Sequence, residues 1–219
     1  MNQSVRSTAR LLTAGLRALL VLTLVCGVIY PLVVTGVAQA VFHDKANGSE
    51  IKENGKVVGS KLIGQSFTLD AKDKDGNPLP DPKWFQPRPS AAGENVFNTR
   101  YSIVVSGASN LASDSKILKD SVIARRAAVA TFNGVPQRDV PVDALTASGS
   151  GLDPHISPDY ADIQVSRVAK QHGLSRQAVQ KLVDEHTDGR QFGFLGEPHL
   201  NVLALNVAVR DLATQQGRG

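Results

Sequence analysis

The chain has 219 residues with 24 basic and 20 acidic side chains, a length that suits one domain or two small ones. Residues 1–42 hold Arg6, Arg10 and Arg17 and no carboxylate, whereas the remaining 177 residues hold 21 basic and 20 acidic groups. An almost neutral body on a short basic terminus lacks the basic stripe that a polyanion requires, which argues against nucleic acid as a partner. With 42% hydrophobic and 20% charged residues the composition is that of a folded protein. The single cysteine, Cys26, excludes an intrachain disulfide and a cysteine-based zinc cluster.

Ala18 to Phe42 is a run of 25 residues without a charge, dominated by Leu, Val, Ile and Ala. As a helix it reaches roughly 37 Å, enough for a hydrocarbon core of about 30 Å, and it shows no polar face. Pro31 removes a backbone donor in mid-run and predicts a kink or close contact near Tyr30–Pro31. Thr23 with Gly27, and Gly36 with Ala40, are small pairs spaced four apart that permit close approach by another helix, so Gly27, Pro31, Gly36 and Ala40 are the candidate packing residues. A cleaved signal peptide ending near Ala38-Gln39-Ala40 is the alternative, but the run exceeds an ordinary signal core, and a retained anchor is favoured. Arg6, Arg10 and Arg17 precede the span and Lys45, Lys52 and Lys56 follow it. That count is nearly tied, and the free amino terminus with no upstream acid tips it toward a cytoplasmic N-terminus. The expected organisation is a basic tail over 1–17, a transmembrane helix over 18–42 and an extracytoplasmic domain over 43–219.

Residues 43–100 are rich in turn formers, and Val57-Val58 and Lys61–Gly64 around Gly59 read as short strands of a hairpin region. Tyr101–Val105 is a further strand candidate. Helices dominate the rest. Leu118, Val122, Val129 and Phe132 share a face opened by Ser113 or Ser115 and stopped at Asn133-Gly134. Ser157-Pro158 opens a second helix with Ala161, Val165 and Val168 inward, ending at Gly173. Ser175 caps a third carrying Val179, Leu182 and Val183. Pro198 precedes a fourth with Val202, Leu205, Val209 and Leu212. The fold class is mixed α+β.

Chemistry motifs are few. Asp73, Asp75 and Gly76 resemble part of a calcium loop, but the first and twelfth positions are Ala71 and Pro82, so a charged turn is the better reading. Ser148-Gly149-Ser150-Gly151 lacks the flanking glycines of a nucleophile elbow and the third glycine of a dinucleotide loop. The histidines form no HExxH pair, and His172 and His186 suit helix C-termini. Asp153-Pro154-His155 reads as a turn with an Asx cap or as a carboxylate–imidazole pair. Two classes therefore stand open: an accessory subunit whose helix packs on a larger membrane partner, and an anchored enzyme or solute-binding protein with a site assembled from scattered residues.

An ordered set of segments resembles the C subunit of the bacterial Kdp potassium-transporting ATPase. It comprises Tyr30-Pro31-Leu32, Gln39 to Phe42, Ala46-Asn47-Gly48-Ser49, Gly59-Ser60 with Leu62-Ile63-Gly64-Gln65 and Phe67, and Trp84-Phe85 with Arg88-Pro89-Ser90-Ala91. It continues through Ser106–Leu111, Val140-Pro141-Val142, Thr146 to Pro158, Gly193 to Pro198 and Asn201 to Asn206. The resemblance implies a non-catalytic subunit of a P-type potassium pump with one membrane helix and an outer domain. ATP would be hydrolysed by a different subunit, and the partners would be that subunit, the potassium-channel-like subunit and the bilayer of the plasma membrane. It further implies a catalytic chaperone that raises the pump's nucleotide affinity, with no tightly bound cofactor and ATP met only transiently. In this family a Ser-Gly-Gly-Ser-Asn stretch is likened to a nucleotide-binding signature loop, which places Ser106, Gly107, Ser109 and Asn110 as candidate nucleotide contacts, with Ala108 in place of the second glycine. A structural turn is the competing reading of this stretch, since an outer domain cannot touch cytoplasmic ATP.

Overall fold

The run of apolar residues that reads as a membrane span is, in the computed structural model, one helical rod. The structure describes residues 2–53, 55–74, 76–94 and 104–217. The chain separates into two units, Met1–Glu50 and Ile51–Gly219.

In the first unit α1 (Asn2–Leu24) passes through a π-helical turn (Val25–Ile29) into α2 (Tyr30–Val41). The π turn is the local answer to Pro31. An α-helical proline ring presses on the carbonyl four residues back, and widening the preceding turn relieves that clash. Tyr30 N–H accordingly donates to the Val25 carbonyl, five residues back, and Pro31 sits in the first turn of the new α-helix. The kink signal of Pro31 is thus realised as a change of helix type.

The long apolar stretch covers Val5–Val41, none of it buried. Its 37 residues reach about 55 Å, well beyond an apolar core of about 30 Å, and the basic tail from Asn2 onward is part of the same helix. Arg6, Arg10 and Arg17 fall within about 40° of one another around that helix, forming a single basic stripe. At the far end Phe42 leaves the helical region, and α3 (His43–Ala46) follows. Asn47 folds back, its amide exchanging hydrogen bonds of 3.2 and 3.1 Å with Gln39 and donating to the His43 carbonyl at 2.7 Å.

The second unit begins with a hairpin of β1 (Glu50–Glu53) and β2 (Lys56–Ser60). Lys61–Gly64 is a turn, not the strand its apolar pair suggested. Ser60 Oγ accepts the Leu62 N–H at 3.1 Å, and Gly64 N–H donates to the Leu152 carbonyl at 2.8 Å. The polar stretch between Asp70 and Asp81 forms the hairpin of β3 (Thr68–Lys72) and β4 (Pro78–Pro80), closed by the Asp73 carboxylate, which accepts the Asn77 backbone N–H at 2.8 Å and its side-chain amide at 3.1 Å. This is the charged turn expected there. β5 (Gly93–Glu94) pairs with β6 (Val104–Val105); the Tyr101–Ile103 part of that strand candidate lies outside the described residues.

The helices follow the periodicity. α4 (Lys116–Asn133), α5 (Pro158–His172) and α6 (Arg176–Glu185) open on Ser115, Ser157 and Ser175, whose hydroxyls accept the N–H three residues on. Gly134 and Gly173 close the first two with φ near +67° and +66°, a conformation that glycine takes without Cβ strain. α7 (Val202–Gln216) is capped by the Asn201 side chain. Missed from sequence is the three-stranded antiparallel sheet of β7 (His155–Ile156), β9 (His199–Asn201) and β8 (Thr187–Asp188), in that order. Its strands are two or three residues long, too short for a visible alternation. Ile156 faces Leu200 across the sheet and both are buried with Ala161, Val165 and Val168 of α5, Val179 and Val183 of α6, and Leu205 and Val209 of α7. Alternation then puts His155 and His199 on the opposite face.

Candidate functional site

Two polar side chains interrupt the apolar faces of α5 and α7, and together they hold an extended segment. Asn206 Oδ1 accepts the Phe85 N–H at 2.9 Å and its Nδ2 donates to the Phe85 carbonyl at 3.0 Å. Gln164 repeats the arrangement one residue on, with Oε1 accepting the Gln86 N–H at 2.7 Å and Nε2 donating to the Gln86 carbonyl at 3.2 Å. Each amide imitates a paired strand, satisfying both backbone groups of the residue it holds, Phe85 in one case and the partly buried Gln86 in the other. Phe85 itself is fully buried in the core.

Arg167, on the same helix as Gln164, is buried and has its donors engaged. Nε meets Asn133 Oδ1 at 2.9 Å, Nη1 meets the Pro82 and Trp84 carbonyls at 2.6 and 2.9 Å, and Nη2 meets Gln164 Oε1 at 2.7 Å. Its guanidinium also lies 4.4 Å from the Phe132 ring centroid. Burial pulls its pKa down to about 10, which leaves it charged at neutral pH. Burial likewise pushes the neighbouring Tyr160 hydroxyl up, out of its ordinary range.

The segment so anchored delivers Arg88 and Ser90 to one wall of a cleft of about 780 Å³, whose other walls include Gln65, Ser66 and Asp153. Arg88 Nη1 and the Asp153 carboxylate are 3.0 Å apart, and Nη2 meets the Thr146 carbonyl at 3.4 Å. Asp153 also accepts the His155 N–H at 3.0 Å, the Asx turn read from the sequence, and sits 3.5 Å from His155 Nδ1. Both readings of Asp153-Pro154-His155 are therefore realised, with Arg88 as the partner that sequence did not point to. The His155 and His199 rings meet edge to face at 4.6 Å between centroids. Burial, then the His199 charge, lowers the His155 pKa, against the raising effects of Asp153 and Asp188. Among the described residues no group of three or more His, Cys, Asp and Glu is placed to hold a metal ion.

The Ser106–Asn110 stretch and the Ser148–Gly151 stretch, separate features of the sequence, lie side by side. Ser106 Oγ and Gly107 N–H both donate to the Ser150 carbonyl, at 2.8 and 2.9 Å. Ser90 Oγ donates to the Gly151 carbonyl at 2.6 Å, tying the same loop to the cleft wall. Gly151 has φ +69°, and a Cβ there would lie 2.8 Å from both Ala92 N and the Gly107 carbonyl oxygen. Ser109 and Asn110 are exposed, Asn110 with φ +51° and its amide on the Ala108 carbonyl at 3.3 Å. Of the four residues suggested as nucleotide contacts, Ser106 and Gly107 thus hold the loop in place, while Ser109 and Asn110 face solvent.

The helix-packing candidates occupy the rod. Gly27 lies within the π turn and Gly36 has nothing within 4 Å of its missing Cβ. Gly27 with Pro31, and Gly36 with Ala40, are two and a half turns apart and so face different sides.

The chain matches the family "K+-transporting ATPase, c chain" over residues 12–211. It is 58% identical to the potassium-transporting ATPase KdpC subunit of Streptomyces avermitilis over 218 residues, covering 97% of this chain and 98% of that protein. It is 57% identical to the same subunit of Streptomyces coelicolor over 218 residues, with 97% of each chain covered. To that of Kineococcus radiotolerans it is 48% identical over 213 residues, 97% of this chain and 100% of that protein. An exposed apolar rod, an α+β domain clamped by buried amides and a match running nearly end to end therefore agree: the chain belongs to the KdpC family, the c chains of K+-transporting ATPases.

Proposed function

We propose that this chain is a non-catalytic accessory subunit of an ATP-driven potassium import complex, in which a different subunit hydrolyses ATP. The observation that carries this reading is that the apolar Val5–Val41 rod has no buried residue among the described residues. Lipid and a larger membrane protein cover it, and the small pairs Thr23/Gly27 and Gly36/Ala40, with Pro31, are the sites of closest approach. The basic stripe Arg6, Arg10 and Arg17 stays on the cytoplasmic side of the plasma membrane, and the domain from residue 43 stands outside, where it caps the ion entrance of the potassium-channel-like subunit and stabilises the assembly.

Co-expression with the other pump subunits tests the assembly, since a tagged full chain then brings them down from solubilised membranes. Sidedness is tested with Cys26→Ala carrying a single cysteine at Asn2 or Gly219 and an impermeant thiol reagent on intact cells. Labelling at position 219 alone supports the capping role, and the reverse pattern overturns it.

A second reading, which takes the place of capping if the labelling shows the domain on the cytoplasmic side, is nucleotide assistance, favoured by the exposure of Ser109 and Asn110 on the loop described above. In it the subunit raises the ATP affinity of the hydrolysing subunit. Ser106→Ala with Asn110→Ala then raises the ATP concentration for half-maximal turnover of the purified complex, and an unchanged value removes this reading.

A further inference from the structure

Between β8 and β9 the chain makes an excursion, Gly189 to Pro198, that buries none of its large apolar side chains. Phe192 is 85% exposed, Phe194 70% and Leu195 48%. The excursion is nevertheless ordered by its backbone. Gln191 and Leu195 exchange two hydrogen bonds, each of 2.9 Å, and Phe194 N–H donates to the Gln191 carbonyl at 3.2 Å. The turn this closes needs two successive residues in the left-handed region, Phe192 at φ +53° and Gly193 at φ +83°. Glycine meets that demand freely, whereas an aromatic residue there is a backbone outlier, and the hydrophobic surface of the domain gains nothing from it.

The charges of the excursion are closed on themselves. Arg190 Nη2 and Glu197 Oε2 are 2.6 Å apart across its neck, and the residues between them, 191–196, carry no ionisable group. The tip is therefore an uncharged pair of aromatic rings on a shaped, hydrogen-bonded support.

We propose that Phe192, Phe194 and Leu195 form a preformed knob that seats in an apolar socket on the extracytoplasmic surface of a protein partner within the pump. The inference rests on the accessory-subunit reading and adds the contact through which the outer domain is held. Two observations favour a protein socket over a bilayer. Anionic headgroups find no free cation on a tip whose one arginine is paired across the neck. A fixed and strained turn suits a complementary pocket, where aromatic anchors supply most of the binding energy, and confers no advantage in fluid lipid.

The test uses the full chain with Phe194→Cys, and separately Phe192→Cys, in a Cys26→Ala background, and reads the rate of labelling by an impermeant maleimide. Three samples are compared: the chain alone in detergent, the chain alone in phosphatidylcholine/phosphatidylglycerol vesicles with the domain outside, and the complex co-purified with the other pump subunits in the same detergent. We expect labelling at least tenfold slower in the complex and unchanged between the first two samples. Equal rates in complex and isolated chain overturn the proposal, and so does protection already present in vesicles, which would assign the knob to lipid. A wild-type chain that brings down no pump subunit fails at the earlier step and overturns the accessory-subunit reading itself.

Discussion

Asn206 and Phe85 exchange two hydrogen bonds across 121 residues of sequence, 2.9 Å from the Phe85 N–H to Oδ1 and 3.0 Å from Nδ2 to the Phe85 carbonyl. This pair joins the last helix to the segment that lines the cleft. Asn206→Leu keeps the volume and strands a buried N–H and a buried carbonyl, at about 1–3 kcal/mol each. For a chain of this size that lowers the melting temperature by roughly 2–4 °C per kcal/mol, readable by thermal denaturation of the purified chain in detergent.

Gly151 carries a second prediction. Its left-handed φ of +69° and the 2.8 Å approaches that a Cβ would make to Ala92 N and the Gly107 oxygen leave no room for a methyl group. The Gly151→Ala chain should separate the Ser106–Gly107 stretch from the Ser150 carbonyl. Limited proteolysis should then cut near Ser106–Asn110 faster than in wild type while α5 to α7 remain intact, whereas Gly149→Ala, which meets nothing within 4 Å, should behave as wild type.

The edge-to-face pair His155–His199 makes stability depend on pH in a defined direction. The His155 pKa is lowered in the folded chain, by burial first and by His199 second. Below about pH 6.5, the ordinary histidine value, the unfolded chain binds a proton that folded His155 does not, so stability is full above that pH and falls as the pH drops below it, until folded His155 also protonates. Melting curves between pH 5 and 8 should show this slope, and His199→Asn, which removes the neighbouring charge but not the burial, should flatten it in part. An unchanged slope in that variant would leave burial as the cause and remove His199 from it.

On the rod, Gly36→Leu with Ala40→Leu should reduce recovery of the other pump subunits with the tagged chain if that side meets a neighbouring helix. Gly27→Leu probes a different side and a different helix type, since a Cβ at Gly27 meets only Thr23 Cγ2 at 3.9 Å. Comparing recovery between the two variants identifies the contact side, and wild-type recovery from both would reject small-residue packing.

Helices α4 to α6 were legible because caps and periodicity agreed, with Ser115, Ser157 and Ser175 opening them, and α7, capped by Asn201, was legible from the recurrence of its apolar residues at three and four. The site was less legible because its parts are distant in sequence. Arg88 meets Asp153 over 65 positions and Ser106 meets Ser150 over 44, and no local pattern encodes such pairings. A usable signal did exist in Gln164 and Asn206, polar residues at positions within the apolar stripes Ala161–Val165–Val168 and Val202–Leu205–Val209. A polar group on a core face requires a buried partner, and an extended segment with unpaired backbone is the natural one. Lys61–Gly64 was misread as strand because an apolar Leu62-Ile63 pair in a two-sided turn has the same composition as a short strand.

The π turn at Val25–Ile29 has a consequence for how the anchor can vary. Such a turn is equivalent to one residue inserted into a regular α-helix and taken up by widening. Removing one residue from it would return the turn to a regular α-helix, shortening the rod by about 1.5 Å while Gly36, Ala40 and the Gln39–Asn47 clamp keep nearly the same azimuth relative to the basic stripe. Removing one residue from α1 or α2 would instead turn everything after it by roughly 100°. The π turn is therefore where the anchor can lose a residue and keep its rotational setting.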